Sequence, residues 1–156
     1  MPTTGEFVTD ERDDLPDHLE MIQGVIERHA RNSFLLKGWS LTLVAAVFLL
    51  AVRGGEPRLA MAVGLLPALV FWGLDAYYLR HERAYRALFN HIRTTTAPPG
   101  DRFNMDARPF RASVPSWPRT LCTTSVFWFH AVITLLVVGA LAFFTLRSGN
   151  GSQGLL

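Results

Sequence analysis

The chain has 156 residues, 49% of them hydrophobic and 18% charged, with a formal net charge of +2. The apolar residues gather in three long stretches, more than the remaining polar chain of a soluble domain of this size could cover, and the net charge is too small to point to nucleic acid. A single cysteine, Cys122, excludes an intrachain disulfide framework and is expected to pack at the start of a helix.

Residues 1–16 carry Glu6, Asp10, Glu11, Asp13 and Asp14 with no apolar periodicity, and are expected to form a disordered acidic tail. They lack the basic start and adjoining apolar stretch of a secretory leader. A single helical membrane domain is expected over 17–147, followed by a Gly- and Ser-rich flexible tail, 148–156.

Leu19, Ile22, Val25, Ile26 and Ala30 recur at helical spacing behind a start signal of Asp14, Pro16, Asp17 and Glu20. No proline interrupts 17–52, so one helix should carry this stripe into a first apolar span, 34–52. A second apolar stretch runs over 59–79 and a third over 121–146. A bilayer core about 30 Å thick needs roughly 20 apolar residues of helix to cross it. The fold class read from this pattern is an all-α membrane protein with three transmembrane helices. The short link Arg53-Gly54-Gly55-Glu56-Pro57 makes the first two a long antiparallel hairpin. Pro67 should kink the second helix without ending it. Tyr78, Tyr85, Leu88, Phe89 and Ile92 continue that helix to Arg93.

Basic residues orient the spans. Arg12, Arg28, Arg31 and Lys37 precede the core of the first span, and eight arginines lie between the second and third. Only Arg147 follows the third. The positive-inside rule puts the N-terminus and the long loop in the cytoplasm and the C-terminus outside.

Counting from Gly55 pairs levels on the hairpin. Arg28 and Glu82 fall at one level and are candidate contacts; His29 and His81 fall at another. Lys37 and Asp75 lie at nearly matched depth, about 3 Å apart at helical rise. Charges within a span are costly and are paired or functional. Two readings stand: a Lys37–Asp75 pair that fixes register, or a lysine snorkelling to the headgroups while Asp75 meets Arg80 or Tyr78. A proton relay through Asp75 is a further step along the same line. His130 lies in the third span, where a hydrogen bond to a neighbouring helix suits it.

The loop 94–120 holds Pro98, Pro99, Pro109, Pro115 and Pro118, and reads as neither helix nor sheet. Its Phe103, Met105, Phe110, Val114 and Trp117 should dock on the cytoplasmic hairpin. Arg102, Arg108 and Arg111 are candidates for binding an anion or lipid headgroups, or serve only to set topology. No catalytic motif, phosphate-cradling glycine loop or metal-ligand spacing appears, so no enzyme activity, cofactor or metal is expected.

The runs Met21-Ile22-Gln23-Gly24-Val25-Ile26-Glu27-Arg28, Asn32-Ser33-Phe34-Leu35-Leu36-Lys37-Gly38-Trp39 and Phe71-Trp72-Gly73-Leu74-Asp75-Ala76-Tyr77-Tyr78-Leu79 resemble uncharacterised small bacterial multi-pass membrane proteins. The layout is similar to that of membrane partners encoded beside TIR-like antiphage-defence genes. The resemblance implies a non-enzymatic membrane effector that self-associates and perturbs the bilayer on a cytoplasmic signal. The alternative is a constitutive anchor or partner subunit for a soluble cytoplasmic protein. The partners expected are the lipid bilayer, further copies of the chain, and a soluble protein or small anionic ligand on the cytoplasmic side, with no nucleic acid. The small residues Gly139, Ala140 and Ala142 suit either self-association or packing on the first two spans.

Overall fold

A computed structural model describes residues 14–95 and 103–151. The acidic tail up to Asp13, Pro98, Pro99, Arg102 and the end of the C-terminal tail from Ser152 lie outside them. The described residues are helical, with no strand among them, and three of their helices are long and apolar enough to cross a membrane. Helix α1 is Leu15–Arg53, α2 is Pro57–Thr94, α3 is the short Trp117–Leu121 and α4 is Thr124–Gly151; a 3-10 turn, Arg108–Ala112, precedes α3.

The ends of these helices follow from local chemistry. In the first turn of α1, Pro16 needs no backbone donor, and His18 N–H bonds Asp14 O at 3.1 Å. The helix stops at Gly54, whose N–H reaches Leu50 O at 2.7 Å. A Cβ there would also lie 2.7 Å from that oxygen, which is why glycine stands at the turn. Pro57 opens α2, again at a position that lacks an intrahelical acceptor. Pro67 sits inside α2 without ending it. At the far end Thr94 Oγ1 folds back on Asn90 O at 2.8 Å. Thr123 starts α4: its carbonyl accepts from Val126 and Phe127 at 3.0 and 2.7 Å.

Three sequence expectations need correction here. The loop is not free of helix, because prolines are accepted in a first turn: Pro109 opens the 3-10 turn and Pro118 lies in the first turn of α3. The third long helix therefore starts at Thr124, after a break at Cys122 and Thr123, rather than at Leu121. Cys122 lies exposed in that break and does not pack.

Contacts gather the described residues into two compact units. The first comprises those within Met1–Arg31 and Tyr78–Ser116. Its core is Ile22 and Ile26 from α1 with Ala84, Leu88 and Ile92 from α2. Ala107, Met105, Phe110 and Val114 from the loop close over it, so the proline-rich segment is folded against the helix pair. Burying an isoleucine such as Ile22, which is wholly enclosed, stabilises by roughly 1.5–3 kcal/mol. Backbone and ring contacts hold the segment down. Arg80 Nε donates to Pro115 O at 3.2 Å, His18 Nε2 meets Asn104 O at 3.1 Å, and the His91 ring lies 5.3 Å from that of Phe110. Phe103, with φ 59°, turns the chain beside His18.

The second unit comprises the described residues of Asn32–Tyr77 and Trp117–Leu156. Val44 from α1, Ala68 from α2 and Ile133 and Val137 from α4 form its apolar core, lined by Phe48, Leu65 and Phe129. Gly64 lets α1 and α2 approach closely, since a Cβ there would meet Val47 Cγ1 at 2.8 Å. Large side chains such as Phe34, Leu50, Leu66, Leu135 and Leu146 point outward. An apolar exterior over three long helices is the surface a bilayer solvates. Two tryptophans fasten α3: Trp117 Nε1 donates to Gly73 O at 3.1 Å, and Trp72 Nε1 donates to Leu121 O at 3.2 Å.

Candidate functional site

The strongest concentration of chemistry lies inside the second unit, around Asp75. Ser33, Lys37 and Ser40 stand at i, i+4 and i+7 on α1 and therefore share one face. Asp75 on α2 is fully buried, as is His130 on α4. Lys37 Nζ lies 2.6 Å from Asp75 Oδ2 and donates to Ser33 Oγ at 3.1 Å. The Ser33 hydroxyl donates in turn to Asp75 Oδ1. His130 Nε2 meets Asp75 Oδ2 at 3.2 Å. One carboxylate thus collects an ammonium, a hydroxyl and an imidazole, each aimed at it from α1 or α4. An unpaired charge would be untenable at such a place, and a charge with three partners is sustainable.

The imidazole is itself held by its surroundings. Trp72 stacks nearly parallel to it, with centroids 6.1 Å apart and planes 10° apart. Phe129 meets it edge-on at 5.1 Å. Its other nitrogen, Nδ1, is buried with no hydrogen-bond partner, and so are Ser40 Oγ and Thr134 Oγ1.

The other residues singled out by sequence are arranged differently. Arg28 and Glu82 are not joined: Glu82 Oε1 takes Arg86, one turn along its own helix, at 2.8 Å. Arg28 lines an open groove of about 510 Å³ with Asp17, Glu20, Met21, Gly24, Val25 and Met105. Arg108 and Arg111 have separate partners within the fold. Arg108 Nε grips both oxygens of Asp106, at 2.9 and 3.0 Å, and this ion pair holds the half-buried Asp106 carboxyl below the usual carboxylate range. Arg111 Nη2 lies 3.4 Å from His81 Nε2 instead.

His29 and His81, matched in depth by counting from Gly55, do meet, with ring centroids 5.8 Å apart. Tyr85 stacks on His29 at 5.6 Å. Burial first, then the neighbouring His81 and Arg28, lower the His29 pKa, against a smaller opposing pull from Glu82. The folded chain therefore takes up a proton here less readily than the unfolded one, so stability falls as pH drops below the ordinary histidine value of 6.5. Melting curves between pH 7 and pH 5, roughly the range over which histidine changes charge, should show this loss, and His29→Gln should flatten it. An unchanged slope in the variant would assign the loss to other groups.

Sequence reasoning missed Ser33 as a member of the centre. Its signal was present: it stands four residues before Lys37, on the same helical face. Among the described residues no three potential metal ligands converge. Comparisons with protein-family models, with curated proteins and with solved structures gave no match.

Proposed function

We propose that this chain is a non-enzymatic integral membrane effector. It self-associates in the bilayer and perturbs it when a signal reaches its arginine-bearing, cytoplasmic end. The resemblance noted above makes antiphage defence the setting. The observation that carries this reading is the open face at Gly139, where an added Cβ would meet nothing within 4 Å. Small residues on membrane helices serve close helix–helix approach, because apolar burial gives no drive for association in lipid. No described side chain of its own chain would meet a Cβ at Gly139, which leaves this face open to a second copy.

Cys122 supplies the test, since it is the only cysteine and is exposed. Copies labelled there with donor or acceptor dye and mixed in lipid vesicles should transfer energy above the random level. Gly139→Leu should weaken association by at least about tenfold, equivalent to 1.4 kcal/mol. Equal transfer in wild type and variant would remove this interface. In cells, phage infection should collapse the membrane potential with the wild-type chain and leave it intact with Gly139→Leu.

A second reading, a membrane anchor for a soluble protein, is favoured by the groove lined by Asp17, Glu20, Met21, Arg28 and Met105. It expects an unchanged potential on infection and one soluble protein retained through purification. Both readings share an inner-membrane topology with the N-terminus inside, argued from the arginines. Reporter fusions after Arg93 and after Leu156 should fall on opposite sides; reports from the same side would remove the third crossing.

A further inference from the structure

The Asp75 centre has more chemistry than a register pin requires. A lysine and an aspartate at matched depth would suffice to fix two helices. Here a buried imidazole is added from α4, and it uses only one of its two nitrogens. We infer that His130 and Asp75 form a proton-binding site within the bilayer. The site is reached from the end of the helices that carries Ser33 and Lys37, and sealed at its other end by Val44, Ala68 and Val137. This goes beyond the effector reading and does not rest on it.

The bond bookkeeping is simple. A hydronium ion gives up a proton, an N–H bond forms at His130 Nδ1, and water is left. The imidazole becomes imidazolium while its Nε2–H remains on the Asp75 carboxylate; the reverse step returns the proton to water. Two features suit the cationic form. The carboxylate lies 3.2 Å away, and the Trp72 ring lies nearly parallel to the imidazole with centroids 6.1 Å apart, at the outer edge of the range over which an indole attracts a cation. The titratable groups that meet at the centre are Lys37 from α1, Asp75 from α2 and His130 from α4. Arg119 on α3 is exposed and does not face it.

Access and seal follow from position along the helices. Lys37 is the member of the charged centre with solvent-accessible side-chain surface, at 22%. Ser40 and Thr134 lie one turn further along α1 and α4, on the side of the hairpin turn, and carry buried hydroxyls without partners. Buried hydroxyls and ring nitrogens of this kind are ordinarily satisfied by ordered water, which also passes protons. Beyond them the lining changes abruptly. Val44 is seven residues past Lys37, Val137 seven past His130, and Ala68 seven before Asp75 on the antiparallel helix. Seven residues of helix is about 10 Å. All three steps lead to one apolar layer, which offers nothing to hydrogen-bond a proton onward. The centre is therefore built to take and release protons at one face, not to conduct them across.

Trp72 reports the site directly, because an imidazolium quenches a stacked indole. The full chain is placed in vesicles of phosphatidylethanolamine and phosphatidylglycerol, and tryptophan emission is followed as pH is lowered. A reversible quench is expected, lost in both His130→Gln and Trp72→Phe and altered in Asp75→Asn. Emission independent of pH, or a quench that survives His130→Gln or Trp72→Phe, would overturn the site. Trp72→Phe keeps an aromatic face and so serves even if His130→Gln fails to fold. The seal is read with a trapped pH dye. Proton entry into wild-type vesicles should match protein-free vesicles. Entry at least about tenfold faster would overturn the seal while leaving the emission result standing.

Discussion

Lys37→Met should be among the most destabilising single substitutions in the chain, Asp75→Asn should cost less, and the double change should recover part of the loss. The asymmetry comes from burial. Asp75 is wholly enclosed, whereas the Lys37 side chain keeps 22% of its surface accessible. Removing the lysine strips the carboxylate of the cation 2.6 Å from it and leaves a buried anion without that partner. Breaking a buried pair from one side in this way costs about 3–5 kcal/mol. Removing the aspartate frees a lysine whose long stem can carry its head toward the interface. The replacing amide still accepts from Ser33. Replacing both charges leaves no uncompensated ion, and the cycle should show a coupling of about 1–3 kcal/mol. Thermal melts of the four proteins in one lipid or detergent system measure it. Additive losses would sink the pair and make snorkelling the better account of Lys37.

Much of this arrangement is legible from the sequence because the hairpin turn is tight. Gly54 and Gly55 leave no slack, so counting residues from them levels Lys37 with Asp75 and His29 with His81. The same count fails for Arg28 and Glu82, because depth alone does not say which way a side chain turns. Arg86, one helical turn from Glu82, is a nearer partner than anything across the hairpin. His130 could not be levelled at all. It follows a long segment whose span along the bilayer normal is not set by residue number, so only the fold brings it to Asp75. Arg108 has a local partner that counting along the helices does not show: Asp106, two residues earlier, takes both its side chain and its backbone N–H. The loop misled because its prolines look like helix breakers, although Pro109 and Pro118 sit in first turns where they are tolerated. The small residues of α4 fit two partners equally well by composition. The fold adds that a Cβ at Gly139 would meet nothing within 4 Å.

Two glycines in this membrane unit should respond in opposite ways to the same substitution. Gly64→Leu should lower stability by about 1–3 kcal/mol, the usual cost of overpacking a tight contact. A Cβ at Gly64 would already lie 2.8 Å from Val47 Cγ1 and 3.8 Å from Val137 Cγ1, before the rest of the side chain is placed. Val47 is β-branched and has little rotamer freedom with which to yield. Relief therefore requires α1 and α2 to separate at that level, which loosens the adjoining layer of Val44, Ala68 and Val137. Gly139→Leu meets no such neighbour and should leave the melting temperature of the isolated chain unchanged or slightly raised, since leucine favours helix over glycine. Its effect should appear only in energy transfer between labelled copies. Melts of both variants in monomer-favouring detergent, set beside transfer in vesicles, separate packing within the chain from packing between chains. A Gly64→Leu protein as stable as wild type would mean that α1 and α2 are not in contact at that level. A Gly139→Leu protein that melts early would mean that α4 turns this face to its own neighbours, and the case for a second copy would go with it.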